Sequence, residues 1–283
     1  VKTGIEHLCE LGITHVHLMP IFDFGSVDER FPGSNNRNWG YDPKNFNVPE
    51  GSYCSNPYNP VTRILELRQM IMKFHERGIR VVMDMVYNHM MSTVNMDNIV
   101  PGYYFRSDYL GRYTNGSGCG NELASERPMV RKFIIDSCLH WIKDYKIDGI
   151  RFDLMELLDI DTTKEIVKKT TKLDKNFLIY GEPWKGGSSP LVNGTYKGSQ
   201  KNENFSIFND TFRDAIRGNN HPSSGFINGN QYSSICNWSI IEGLKGSIYT
   251  ITSNPNESIN YVDAHDNYTL WDQVEKSQNQ SIK

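Results

Sequence analysis

Short apolar strands alternating with amphipathic helices predict a parallel-sheet α/β protein, and the polar residues that close those strands predict a (β/α)8 barrel. Three observations carry the prediction. Strand-like and helix-like segments alternate from His15 to Asp266 at the spacing of β/α units with right-handed crossovers. Strand ends repeatedly supply a reactive side chain, namely His89, Asp153, Glu182, His265 and Asp266, and in a barrel such ends converge on one face. The runner-up is a doubly wound sheet, but no glycine-rich phosphate loop opens any of the helices.

The elements follow in order. Residues 1–11 place Ile5 and Leu8 at helical spacing and stop at Gly12. Thr14–Pro20 alternates like a strand and ends at proline. The stretch from about 23 to 58 lacks periodicity, and a loop of that length is usually functional. It holds Asn38-Trp39-Gly40-Tyr41-Asp42-Pro43, whose aromatics either offer flat faces to a ligand or pin the loop. Asn59 and Pro60 start a helix with Ile64, Leu67, Met70, Ile71 and Phe74 as its buried stripe. The strand Arg80–Tyr87 carries Asp84, a buried carboxylate that needs a partner, and Arg151 of the next strand is the candidate.

A second irregular stretch covers about 90–124. Ser125 is then read as the cap of a helix with Val130, Ile134, Cys138, Trp141, Ile142 and Tyr145 inward. The strand Gly149–Leu154 puts Arg151 and Asp153 on one face, and a helix from about Asp161 to Leu173 leads to the strand Phe177–Gly181. Phe205–Phe208 reads as a strand, 232–245 as a helix, and Tyr261–Asp266 as the last strand end.

Composition narrows the function classes. With 283 residues and 38% hydrophobics the chain fills one large domain. A net charge of −3 without a basic run gives no support to a nucleic-acid partner, and no stretch is apolar enough to span a membrane. Five scattered cysteines without a CxxC pair indicate neither a disulfide framework nor a zinc knuckle, and the compartment stays open. The chain begins with Val in sequence that already reads as helix, so a fragment of a longer protein is expected.

The chemistry centres on two carboxylates. Asp153 and Glu182 close successive β/α units, on strands ~4.8 Å apart, a spacing nearer that of retaining than of inverting glycosidases. Arg151 is expected to hold Asp153 ionised as a nucleophile. Glu182, with no sequence-adjacent cation and an anion beside it, is expected to keep its proton and act as the acid, while Asp266 stabilises positive charge.

Four ordered stretches resemble the sequence regions of the alpha-amylase family of glycoside hydrolases: Asp84–His89, Gly149–Asp153, Gly181–Trp184 and Val262–Asn267. The resemblance implies Asp153 as nucleophile, Glu182 as acid/base and Asp266 as transition-state stabiliser. It further implies that His89, Arg151 and His265 line the subsite of the glucose under attack and that Tyr41 stacks on that glucose. Within the family the likeness is to the type I pullulanases, through Asn38–Pro43, Gly181–Trp184, Asn209–Gly218 and His265–Asp272. It implies cleavage of α-1,6 branch linkages in an α-glucan such as pullulan, amylopectin or glycogen-derived dextrins, with Trp39, Trp184 and Trp271 beside the leaving sugar.

Arg37 departs from the signature, where a tyrosine is usual. On the family plan the first and eighth strands, the accessory domains and the C-terminal β-domain are expected to be missing. No cofactor is required, and structural calcium stays open because Asn88 matches a calcium-ligand position of amylases. Isoamylase, branching enzyme and alpha-amylase share the chemistry. The alternatives are a metal-dependent barrel hydrolase built on His15, His17 and His89, and a non-catalytic sugar-binding member of the fold.

Overall fold

The computed structural model describes residues 2–31, 38–221 and 223–281, in one unit that ends at Thr195 and another that begins at Tyr196. Arg37 lies outside the described residues. In the first unit, helix α1 (Gly4–Glu10) ends at Leu11, with Gly12 at φ +68° as the sequence requires. Strand β1 (His15–Leu18) follows. The stretch read as irregular contains a small antiparallel pair, β2 (Phe22–Phe24) and β3 (Pro43–Pro49), which the prolines and asparagines had concealed. Gly40 lies where the chain crosses Pro20: at φ +88°, with an added Cβ 2.7 Å from the proline ring, no other residue fits.

Helix α2 (Pro60–Glu76) starts as its sequence dictates, Asn59 accepting the Val61 amide at 3.1 Å. Ile71 and Phe74 are buried, each worth ~1.5–3 kcal/mol, but Ile64, Leu67 and Met70 are only half-buried. Leu67 and Met70 border a cavity of about 430 Å³ that Leu18, Ile21 and Tyr53 also line, so the stripe is not fully packed. Strand β4 (Arg80–Met85) leads through the short helix α3 (Val94–Asp97) to α4 (Pro128–His140), which runs on as a π-helical turn over Trp141–Tyr145. Its six predicted inward residues are all buried. Ser125 is not its cap. The chain first makes a turn in which the Arg127 amide bonds the Ala124 carbonyl at 2.9 Å, and the Ser125 hydroxyl instead accepts from Arg106 and from the Asp159 amide.

Strand β5 (Gly149–Phe152) is shorter than expected because Leu154 turns into the left-handed region at φ 41°, ψ 53°. Helix α5 (Ile160–Leu173), capped by Asp159, returns the chain to β6 (Leu178–Gly181). The four strands pair in parallel in the order β1-β4-β5-β6, the arrangement of a barrel wall. Their register decides the site. Asp84 pairs with Arg151, Arg151 with Tyr180, and Phe152 with Gly181, so Asp153 and Glu182 emerge side by side just past the last pair.

In the second unit β7 (Ser206–Asn209) pairs in parallel with β8 (Ser258–Asn260). Helix α6 (Asp210–Arg217) is capped by Asn209 and packs on α7 (Ser234–Leu244) so closely that a Cβ on Gly243 would meet the Phe212 ring at 2.1 Å. The last strand lies earlier than predicted: Asn254 caps a 3-10 turn at Pro255–Glu257 that launches β8, and Tyr261–Asp266 is irregular. Helix α8 (Leu270–Ser281) was not predicted, because its polar sequence shows no inward stripe. No helix among the described residues is long and apolar enough to cross a membrane.

Candidate active site

Arg151 is the hub of the first unit's strand ends. Its guanidinium is buried, and its Nη1 donates to both Asp84 oxygens at 2.9 and 3.0 Å and to Asp153 Oδ1 at 2.8 Å. Its Nη2 pairs with Glu182 Oε1. One fixed positive charge therefore faces three carboxylates, too few to neutralise them all in a dry site. Asp84, fully buried, takes the larger share. Burial pushes its carboxyl up, but Arg151 and His17 together outweigh burial and hold it below the usual range. Tyr41 also donates its hydroxyl to Asp84 at 2.8 Å, and burial and that anion raise the phenol far above its ordinary value.

The other two carboxylates are left with a deficit. Burial pushes Asp153 up, more than Arg151 and the Asn88 amide pull it down. This corrects the sequence expectation that Arg151 alone sets the direction: the same guanidinium is divided among Asp84 and Glu182. Glu182 is pushed up to about 7, first by burial and then by the Asp153 charge. Its raised direction agrees with the expectation, but the reason given there is incomplete, since Arg151 does reach it across the sheet.

Backbone details fix Glu182. The left-handed turn at Leu154 aims its amide at Glu182 Oε2, 3.0 Å away, and the Met155 amide bonds the Glu182 carbonyl at 2.8 Å. Gly181 makes this approach feasible, because a Cβ there would lie 2.7 Å from the Phe152 carbonyl and 2.6 Å from Met155 Sδ. His89 is buried between Asn88 Oδ1 and the Tyr41 carbonyl, and burial lowers its pKa.

Asp84, Arg151, Asp153, Glu182, Tyr41 and His89 thus form one cluster. Trp39 is 53% exposed two residues before Tyr41, and Trp184 is half-buried two residues after Glu182. The other candidates belong to the second unit. There Asp266 is exposed and accepts the Asn267 amide at 3.1 Å, His265 is half-buried, and Trp271 is 78% exposed in the first turn of α8.

Three contributors escaped the sequence reading in their present roles. His17 points Nε2 at Asp84 Oδ2, 3.2 Å away, with its ring edge-on to Tyr180; His15 instead meets Thr14. Asn88 donates to Asp153, and Leu154 to Glu182. Alternation along β1 was a usable signal for His17, whereas the other two depend on turns beyond the strands.

The ring nitrogens of His17 and His89 are turned to these partners. Among the described residues the grouping with metal-compatible spacing is Asp23, Glu29 and Glu50, without a histidine. Its oxygens suit a hard cation such as calcium, but Arg63 already pairs with Glu29, and Glu50 accepts the Phe24 and Ser52 amides.

A parallel β/α scaffold with paired carboxylates on adjacent strand ends, joined through one arginine, has the layout of a barrel glycoside hydrolase centre, and the chain is similar to members of the alpha-amylase family. Residues 1–100 match the family described as alpha amylase, catalytic domain. Among relatives, the pullulanase of Bacillus subtilis (strain 168) is 43% identical over 285 residues, covering 96% of this chain and 39% of the relative. The structure of pullulanase from Bacillus acidopullulyticus superposes with a TM-score of 0.94 at 46% identity, over 99% of this chain and 34% of that one. Paenibacillus barengoltzii pullulanase, in complex with maltohexaose and alpha-cyclodextrin, gives 0.94 at 42% identity, over 99% and 45%. The fold class is accordingly the α/β TIM barrel, and the chain spans about two fifths of the B. subtilis relative.

Proposed function

We propose that this chain carries the catalytic centre of a retaining α-glucan debranching hydrolase of the type I pullulanase kind. The observation that supports it best is the burial of Glu182 beside Asp153, which against the pull of their shared Arg151 leaves the Glu182 carboxyl able to hold a proton near pH 7. In the proposed reaction an Asp153 carboxylate oxygen attacks the anomeric carbon while the bond to the leaving sugar breaks. Glu182 gives its proton to the departing oxygen, so a neutral alcohol leaves and a covalent glycosyl ester remains. Glu182, now ionised, removes a proton from water as it attacks the ester, and both carboxyl groups return to their starting states.

The excess negative charge around Arg151 favours the oxocarbenium-like transition state, and Asp266 is assigned to the same task. Tyr41, His89, Arg151, Asp84 and His265 are assigned to the glucose under attack, and Trp39, Trp184 and Trp271 to the sugar beyond it. These steps need no organic cofactor or catalytic metal. The expected partner is an α-glucan, not a nucleic acid or a membrane.

The preference for α-1,6 bonds rests on the likeness to pullulanases and on Trp184, two residues after the acid. An exocyclic carbon moves the leaving sugar outward, where an indole face contributes ~1 kcal/mol. Digestion of pullulan by the full-length protein tests the reading. Maltotriose, with the α-anomer formed first, is the expected product. Panose as the main product, or rapid cleavage of linear amylose, would overturn the linkage assignment, and a β-anomer would overturn retention.

A further inference from the structure

We propose that Asn88 is a positioning residue for Asp153, an inference that rests on reading Asp153 as the nucleophile. Asn88 is fully buried, and its Nδ2 donates to Asp153 twice, to Oδ2 at 2.8 Å and to the main-chain carbonyl at 3.0 Å. Arg151 holds the other carboxylate oxygen, Oδ1, at 2.8 Å. Each oxygen therefore has its own donor, and rotation of the carboxylate about its terminal bond would break both. The third bond fixes the tip of the strand that carries the carboxylate.

The amide is itself held in one orientation. Two acceptors of Asp153 face its nitrogen, so its oxygen faces Nδ1 of His89, 2.5 Å away. Nε2 of His89 meets the Tyr41 carbonyl at 3.0 Å, and the Tyr41 hydroxyl bonds Asp84 at 2.8 Å. Asp84 in turn is bound to Arg151, which returns to Asp153. The six residues close a ring of hydrogen bonds through the nucleophile, so Asn88 is the neutral counterpart of Arg151 on the opposite side of the carboxylate.

Geometry and charge assign two effects to this contact. The carboxylate is held for attack before substrate arrives, which is an effect on kcat. The N–H donor also favours the ionised form of a carboxyl group whose neighbours Asp84 and Glu182 oppose ionisation. Removing the donor raises the Asp153 pKa, so activity is lost at a higher pH on the acid side.

The test uses Asn88→Ala and Asn88→Asp in the full-length protein, with Asp153→Asn alongside. The expected result for Asn88→Ala is a fall in kcat on pullulan of ~10- to 100-fold, the usual weight of one hydrogen bond to a charged group, with KM changed less than about twofold. The acid limb of kcat/KM should move up by ~1 pH unit. Asn88→Asp, nearly isosteric, places a further buried carboxylate against Asp153 and should shift the limb further, at a cost in stability that the melting temperature reads separately. Unchanged kcat and an unmoved acid limb in a folded Asn88→Asp protein would overturn the proposal, as would a loss confined to melting temperature. An active Asp153→Asn enzyme would instead overturn the nucleophile reading on which it rests.

Discussion

Replacing Glu182 with glutamine should lower activity throughout the working pH range, and raise stability increasingly as pH climbs above the ordinary glutamate range. The Glu182 carboxyl is raised from 4.5 to about 7, by burial first and by the Asp153 charge second. A carboxyl raised in the folded state binds its proton more tightly there than in the unfolded chain. Its contribution to stability is present below pH ~4.5 and is lost as pH rises through ~7. At ~1.4 kcal/mol per pH unit, the ionised side chain costs on the order of 3 kcal/mol by pH 8. Glutamine keeps the volume and never ionises. Glu182→Gln should therefore match the wild type closely at pH 5 and exceed it increasingly towards pH 8. Paired unfolding curves of the two proteins at pH 5, 6, 7 and 8 measure this directly. The same variant should lose ~10²- to 10⁴-fold in kcat on glucan, and the alkaline limb near pH 7 should vanish from its rate profile. A stability difference that is flat with pH, or a surviving alkaline limb, would refute the argument that Glu182 is the buried acid.

Other outcomes are expected of the same cluster. Arg151→Met leaves three buried carboxylates without their cation and should destabilise by ~3–5 kcal/mol, or prevent folding at neutral pH, as judged by thermal denaturation. Tyr41→Phe removes the hydroxyl donated to Asp84 and should cost ~1.5–3 kcal/mol in stability with KM for maltooligosaccharides nearly unchanged, whereas Tyr41→Ala should raise KM; equal KM effects would deny the ring a stacking role. Asp266→Asn is expected to lower kcat by orders of magnitude with a modest change in KM; near wild-type turnover would remove it from the reaction. Leu154→Val should be harmful to both folding and kcat, because a β-branched side chain tolerates φ 41° poorly, while Leu154→Gly should keep the turn.

Much of the first unit was legible because its signals are local. Asn59 and Pro60 announced α2, strand alternation placed Arg151 beside Asp153, and the need of a buried carboxylate for a counter-charge matched Asp84 with Arg151. What was not legible depends on geometry across elements. Burial, helped by the nearby Asp84 charge, turns the Asp153 shift upward against Arg151, and no local pattern records how deeply that carboxyl is buried. The Leu154 turn is equally hidden, since leucine gives no sign of a left-handed backbone. In the second unit the polar surface of α8 concealed a helix, and the glycine- and serine-rich approach to β8 displaced the last strand.

The rung on which Asp84, Arg151 and Tyr180 pair has a consequence for how the chain reaches its fold. Neighbouring parallel strands rich in Val, Ile and Met tolerate sliding, because one apolar residue serves nearly as well as the next. Here a slip of one residue would carry Arg151 to the opposite face of the sheet and strand Asp84 in the core without a counter-charge. Mispaired sheets are thereby made costly while the correct alignment is not, so the charges at the reaction centre also act as an alignment key during assembly. A substitution that made the rung uniformly apolar would remove the penalty on misalignment along with the chemistry.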